Sequence, residues 1–473
     1  MSDVSTVAAA PMASWRSVAL AVLGLAAIIG GTAIVPNAAI ALPAALALTA
    51  AGVAVATKVR PSLTAGFVVL ICMSIAAQGN DEGTDIFEIA FGLSLISYVL
   101  VWYGTTVIGG RRWIRNGVDV ALFLYLLGSV TVGIGVGVLL GSFGTDFRSD
   151  LTCLLALALF FPTREICVRS RHGVAIVTGL ILMLGLYAAA VNAATLFGTL
   201  SGATELYEVV DVRVSSGEIP MTASLLVALA ALTAVTTRWG RLALLAVVIA
   251  SIGGLILAKS RGPWIKAIIG AGVAGPRVPA RSRWRLIAYF ALAGGLTVAA
   301  ALVVLGNELF LIGIGLLRRF ASISGAATGD ISLINRYAES AATWAEIIKN
   351  PVLGYGWGAP VSRYDMIVEG THHWGFVHNG YLWMWHKVGI WGLALFSFAF
   401  AGTAWHGIRA SRRALTPVEC ALAAGGVGAL VAYAILALPS NPFVVPDQML
   451  AVTLVLGLVS GTFERARTHP APS

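Results

Sequence analysis

Charge is scarce in this chain: Asp, Glu, Lys and Arg make up 11% of its 473 residues, against roughly 25% in soluble domains. With 58% hydrophobic residues and a mean hydropathy of +0.87, the chain cannot present a mostly polar surface, which excludes a soluble globular enzyme. Cysteine is nearly as rare. Cys72, Cys153 and Cys420 fall in apolar runs and Cys167 in a basic loop. None lies in a segment assigned to the outside, so no disulfide framework is expected. No Cys-x-x-Cys or His-Glu-x-x-His spacing occurs, so no metal site is indicated. An internal repeat, the usual mark of a secondary transporter, is also absent.

What the chain has instead is a succession of apolar runs of the length that spans a bilayer, about 17–25 residues. They lie near 15–34, 37–56, 62–79, 86–107, 117–140, 151–163, 174–199, 220–237, 242–258, 263–275, 286–306, 377–404, 418–438 and 447–463. The runs 151–163 and 263–275 are short, and Lys266 interrupts the second. The expected fold is therefore an all-α polytopic membrane protein with about 12–14 transmembrane helices. The first run has only Arg16 before it and no convincing cleavage site, so it is read as an uncleaved helix. The 53 glycines suit helices that approach closely without water to drive them together.

Arginine and lysine in short loops mark the cytoplasmic side. Basic clusters occur at Lys58/Arg60, Arg111/Arg112/Arg115, Arg164/Arg169/Arg171, Arg238/Arg241, Arg277 to Arg285, Arg409/Arg412/Arg413 and Arg465/Arg467. The alternate loops carry the acids Asp81/Glu82/Asp85, Asp146/Asp150, Glu205 to Glu218, and Asp330 to Glu369. This alternation is consistent with both termini inside. The net charge of +9 then reports orientation, and no nucleic-acid partner is expected.

Four regions follow: N-terminal helices over 1–200, helices with arginine motifs over 201–306, a long outer loop over 307–376, and C-terminal helices over 377–473. Within the loop, Leu333, Ile334, Tyr337, Ala341, Trp344, Ile347 and Ile348 recur at helical spacing. That predicts an amphipathic helix lying on the membrane or on the bundle, ended by Pro351. Gly354-Tyr-Gly356-Trp-Gly358 reads as a flexible, turn-rich stretch.

Arginines in outer loops need a reason. Arg213 precedes one span, Arg261 sits in the tight link Ser260-Arg261-Gly262-Pro263, and Arg336 lies on the polar face of the loop helix. Arginine holds phosphate because its planar fork stays charged and donates bidentately. Each is also explained as an interfacial anchor, and for Arg336 a solvated helix face suffices. His378 closes the loop where the next span begins, and a neutral imidazole is a natural general base there. His372 and His373 are more exposed alternatives, and His386, deeper in the helix, reads as a packed core residue. The tryptophans of this region, Trp357, Trp374, Trp383, Trp385 and Trp391, read as interface-belt residues or as platforms for sugar rings.

Asn350-Pro351-Val-Leu-Gly354-Tyr-Gly356-Trp-Gly358, followed by His378-Asn379-Gly-Tyr381-Leu382 and Gly389-Ile-Trp-Gly392-Leu393, resembles the O-antigen ligase/polymerase superfamily of bacterial membrane glycosyltransferases. Ser260-Arg261-Gly262, Arg213 with Gly217, and the spacing of Arg336 to Trp344 fit its pattern. The resemblance spans about 205–395. It departs after the first arginine, where Glu218-Ile219-Pro220 replaces the usual Asn-Pro.

The resemblance implies a membrane glycosyltransferase (GT-C-like) bundle with a long loop roofing a periplasmic site. It implies a polyprenyl-diphosphate-linked glycan as donor, an acceptor hydroxyl on a glycan or lipid, and no metal or other cofactor. His378 matches the essential histidine, and Arg213 and Arg261 match the arginines assigned to the diphosphate. Arg336, Asn379 and Tyr381 are carried as further substrate-binding candidates. Membrane lipid and other envelope polysaccharide assembly proteins are the remaining partners. The same residues leave open a surface-polysaccharide polymerase or a ligase acting in lipopolysaccharide or exopolysaccharide biosynthesis; the competing class is a lipid-linked glycan flippase or another polytopic transporter.

Overall fold

A computed structural model describes residues 63–76, 86–108, 110, 112–142, 145–202, 217–258, 261–278, 280–305, 331–365, 369–413 and 416–468. The helices are α1 (Leu63–Ala76), α2 (Ile86–Ile108), α3 (Gly117–Gly128), a π-helical turn (Ser129–Gly133), α4 (Ile134–Leu139), α5 (Thr145–Ala158), α6 (Phe160–Arg169), α7 (Gly173–Gly202), α8 (Glu218–Leu232), α9 (Arg238–Leu257), α10 (Arg261–Ala274) and α11 (Ala280–Leu305). Then come α12 (Ile331–Ile347), a hairpin of β1 (Val361–Asp365) and β2 (Gly370–Trp374), α13 (Gly380–Arg413), α14 (Pro417–Leu436) and α15 (Pro446–Thr468). Among the described residues nine helices, counting α3 to α4 and α5 to α6 each as one, are long and apolar enough to cross a membrane. The chain is a multi-pass, all-α membrane protein. The two N-terminal runs, 15–34 and 37–56, lie outside the described residues.

The centre is built from α8, α14 and α15, which are buried almost all round, as the apolar sequences between their charged ends require. Small residues let the backbones meet. A Cβ placed on Gly428 of α14 would stand 2.5 Å from the carbonyl oxygen of Gly270 in α10, and one on Gly425 would stand 2.7 Å from that of Leu226 in α8. The short 151–163 run extends both ways, to Asp146–Arg169. Its continuation corrects the reading of Arg164 and Cys167 as loop residues: both are buried, and Arg164 pairs with the equally buried Asp119 of α3, which satisfies a cation inside the bundle.

The glycine stretch 354–358 is not flexible. α13 breaks at Gly389 (φ 72°, ψ 179°), which frees carbonyls that cannot be left bare within a membrane protein. The loop satisfies them: Tyr355 N–H donates to His386 O at 2.8 Å and Gly356 N–H to Lys387 O at 2.9 Å, while Ile390 N–H donates to Pro351 O at 2.9 Å. A Cβ on Gly389 would lie 1.8 Å from Val352 O, so only glycine fits this crossing. Beyond it Trp357 is buried against the π-helical turn, its indole donating to Ser129 O at 3.0 Å and its backbone N–H to Gly133 O at 3.0 Å. Gly358 N–H donates to Asp150 at 2.8 Å, and Asp150 pairs with buried Lys387 at 3.0 Å.

The loop helix forms as α12, but its faces are used in the opposite sense to a solvated polar face. Asn335, Glu339 and Thr343 are buried, while Ile334, Tyr337 and Trp344 are exposed. The β1–β2 hairpin was not foreseen. Its antiparallel register sets Val361 opposite Trp374 and Arg363 opposite His372, placing those four residues on one face.

Candidate functional site

His378 lies between β2 and α13, and three elements fix it. Gly380 N–H donates to Ala437 O at 2.7 Å, Asn441 Nδ2 donates to Val377 O at 3.0 Å, and the Phe376 ring meets the imidazole edge-on at 4.8 Å. The decisive contact comes from α12. Glu339 Oε2 lies 2.7 Å from His378 Nδ1 and accepts the His378 backbone N–H at 3.1 Å. The other oxygen, Oε1, is 2.5 Å from Arg363 Nη1, and the Arg363 guanidinium lies 5.0 Å over the Trp374 ring. Glu339 and Arg363 are buried, whereas the His378 side chain keeps 31% exposure.

This chain of contacts sets the state of the imidazole. A carboxylate oxygen only accepts, so Nδ1 carries the proton and donates to it. Nε2 is then the basic nitrogen, on the ring edge away from Glu339. One helical stretch further on, His386 Nε2 bonds Glu346 Oε2 at 2.9 Å, but His386 is fully buried and stacked on Tyr355 at 4.9 Å. The buried imidazole is closed to substrate, and the pair holds α12 against α13. Burial alone would raise the Glu346 carboxyl; the His386 hydrogen bond leads the contacts that outweigh it and hold it below its ordinary range.

The other predicted residues are distributed as follows. Arg336 is one turn before Glu339, with Nη1 donating to Pro439 O at 2.7 Å, in the loop that also supports His378. Asn379 Oδ1 accepts from the backbone N–H groups of Tyr381 and Leu382, each at 3.1 Å; it caps α13. Tyr381 Oη donates to Ala434 O at 2.8 Å, tying α13 to α14. Arg213 lies outside the described residues, and Arg261 is described as the first backbone position of α10.

That position is nevertheless informative. The buried ammonium of Lys266, five residues on, points back toward Gly262 and lies 3.5 Å from Glu218 Oε2 at the start of α8. Tyr433 Oη, near the end of α14, donates to Ile219 O at 3.2 Å. Lys266 is also within electrostatic reach of Arg336. The starts of α8 and α10, the end of α14, Arg336 and His378 therefore share one end of the bundle. Among the described residues no group of three or more His, Cys, Asp or Glu is placed to hold a metal ion.

Residues 245–397 match the family model described as O-antigen ligase. The matched segment begins within α9 and ends within α13, so it contains Arg261, Lys266, Arg336, Glu339, Arg363 and His378. The match supports the family resemblance seen in the motifs and, in general terms, glycan transfer of the O-antigen ligase/polymerase type. No curated protein matches the chain.

Sequence reasoning missed Glu339, Arg363 and Lys266. Glu339 could have been found: it falls three residues after Arg336, on the same polar stripe. Arg363 carried no local signal, because its partner is distant in sequence.

Proposed function

We propose that the protein transfers or polymerises glycan from a polyprenyl-diphosphate donor onto an acceptor hydroxyl, at the end of the bundle where His378 lies. The observation that carries this reading is the Arg363–Glu339–His378 chain, which leaves a partly exposed imidazole whose Nε2, on the ring edge away from Glu339, is the basic nitrogen. In the reaction the acceptor oxygen attacks the anomeric carbon as His378 Nε2 takes its proton. The bond from that carbon to the diphosphate oxygen breaks, and the electron pair leaves with the polyprenyl diphosphate. Attack opposite the leaving group inverts the anomeric carbon.

The leaving group gains negative charge, so fixed cations at its position lower the barrier, each by roughly 3 kcal/mol. Arg261, Arg336 and Lys266 are the cations of this rim, with Arg213 joining them by its motif. The first backbone N–H groups of α10 add the positive end of a helix dipole. Asn379 and Tyr381 act by shaping the turn that holds His378.

The test is the surface glycan of cells carrying His378→Ala or Arg261→Ala at normal protein level in the membrane. Both are expected to abolish chain assembly. An intact glycan profile in the His378 variant removes the histidine from the mechanism and favours a transport or scaffold role. In a deletion strain, single-unit chains identify a polymerase, and full-length chains retained on the carrier identify a ligase.

A further inference from the structure

α12 is inverted relative to a helix lying on a soluble surface. Its three charged side chains all turn to protein: Arg336 to Pro439, Glu339 to His378 and Arg363, and Glu346 to His386. The opposite face of the helix has no charge, and the first charge beyond it is the exposed Lys349, whose long stem lets an ammonium reach water from an apolar border. Ile334, Tyr337 (68% exposed) and Trp344 form its stripe, and Ile348 (60%), Val352 and Leu353 prolong it past the helix end. Contiguous apolar surface of this kind is not left in water by a soluble protein.

The stripe runs on into surface that belongs to lipid. Trp344 packs edge-on against Trp385 of α13 at 5.3 Å, and Pro351, beside Val352, bonds Ile390 N–H. From Ile390 the outward residues Phe398 and Trp405 continue along the spanning part of α13, exposed at 60% and 54%. Tyr and Trp at the border of such a surface are the pattern of a bilayer interface.

We infer that α12 is embedded in the membrane leaflet on the His378 side, with its apolar stripe in the acyl region and its polar stripe forming the site. The occupant of the exposed face is lipid. Because Glu339 is on that helix, the depth of α12 sets the level of His378, which comes to stand at headgroup depth.

Spin labels test this without any assay of activity. Cys72, Cys153 and Cys167 are buried, so a Cys420→Ser background carries Tyr337→Cys, Ile348→Cys or Thr371→Cys, the last on the exposed hairpin strand. In proteoliposomes of phosphatidylethanolamine and phosphatidylglycerol, labels at 337 and 348 are expected to collide several-fold more often with oxygen than with a water-soluble nickel chelate. The label at 371 is expected to show the reverse. Chelate access at 337 and 348 equal to that at 371 overturns the inference. So does an immobilised label reached by neither probe, which would mean that another part of this chain or a second copy covers the face.

Discussion

Replacing Glu339 by glutamine changes one atom's chemistry and little of its shape. In the native site one carboxylate oxygen takes Arg363 Nη1 at 2.5 Å and the other lies 2.7 Å from His378 Nδ1. An amide cannot serve both. With its oxygen toward Arg363, its NH2 faces Nδ1 and the His378 backbone N–H. The imidazole then keeps Nδ1 bare as acceptor and carries its proton on Nε2, where it can no longer take one from an acceptor hydroxyl. With the amide turned over, a buried guanidinium faces NH2, a loss of about 3–5 kcal/mol. The first arrangement is therefore preferred and removes the general base. Such a base contributes about 10²–10⁴-fold, or about 2.7 to 5.4 kcal/mol of barrier. The assay is steady-state transfer of glycan from lipid-linked donor by purified Glu339→Gln. A kcat lower by at least about 10²-fold, at little changed KM, is expected. Adding His378→Ala should cost little more, since both changes remove the same function. A near-normal kcat, or losses that multiply in the double variant, would refute the reasoning.

Three further outcomes follow from the same contacts. Gly389→Ala forces a Cβ to 1.8 Å from Val352 O at a φ of 72°; strain of this kind costs about 1–3 kcal/mol before any clash, so thermal unfolding in detergent should occur at a clearly lower temperature. Asp150→Leu or Lys387→Met alone leaves a buried charge unpaired and should cost about 3–5 kcal/mol, whereas the double replacement should regain much of that loss in the same melting experiment. Arg261→Lys should restore little of the activity lost in Arg261→Ala if the diphosphate is held bidentately; near-normal turnover by the lysine variant would instead indicate a simple charge.

The spans were legible because a bilayer imposes length and polarity on each one separately. Most apolar runs within the described residues recur as helices within a few residues, and Asp146–Arg169 and Gly380–Arg413 extend furthest beyond their runs. His378 and the glycine motif were legible as motifs, but not what they do in the fold. That Gly356 and Trp357 fill the break in α13 and the π-helical turn of α3 depends on carbonyls of His386, Lys387, Ser129 and Gly133, which no local pattern announces. The placement of α12, on the membrane or on the bundle, stayed open for a related reason. Periodicity shows that a helix has two faces but not which one meets protein, and here the buried partners Arg363 and His378 decide it. Asn379 and Tyr381 show the converse: both belong to the motif, yet the Asn379 Oδ1 and the Tyr381 hydroxyl are bound within the protein.

The central claim is that His378, held by Glu339, takes the proton from an acceptor hydroxyl while glycan leaves its diphosphate carrier. Its most direct measurement uses purified protein in proteoliposomes with polyprenyl-diphosphate glycan and acceptor, following release of free polyprenyl diphosphate. The wild type should release carrier in step with glycan transfer, and His378→Ala should release it at least about 10²-fold more slowly. Carrier release by His378→Ala at the wild-type rate, or passage of intact donor across the bilayer without release by the wild type, would contradict the account.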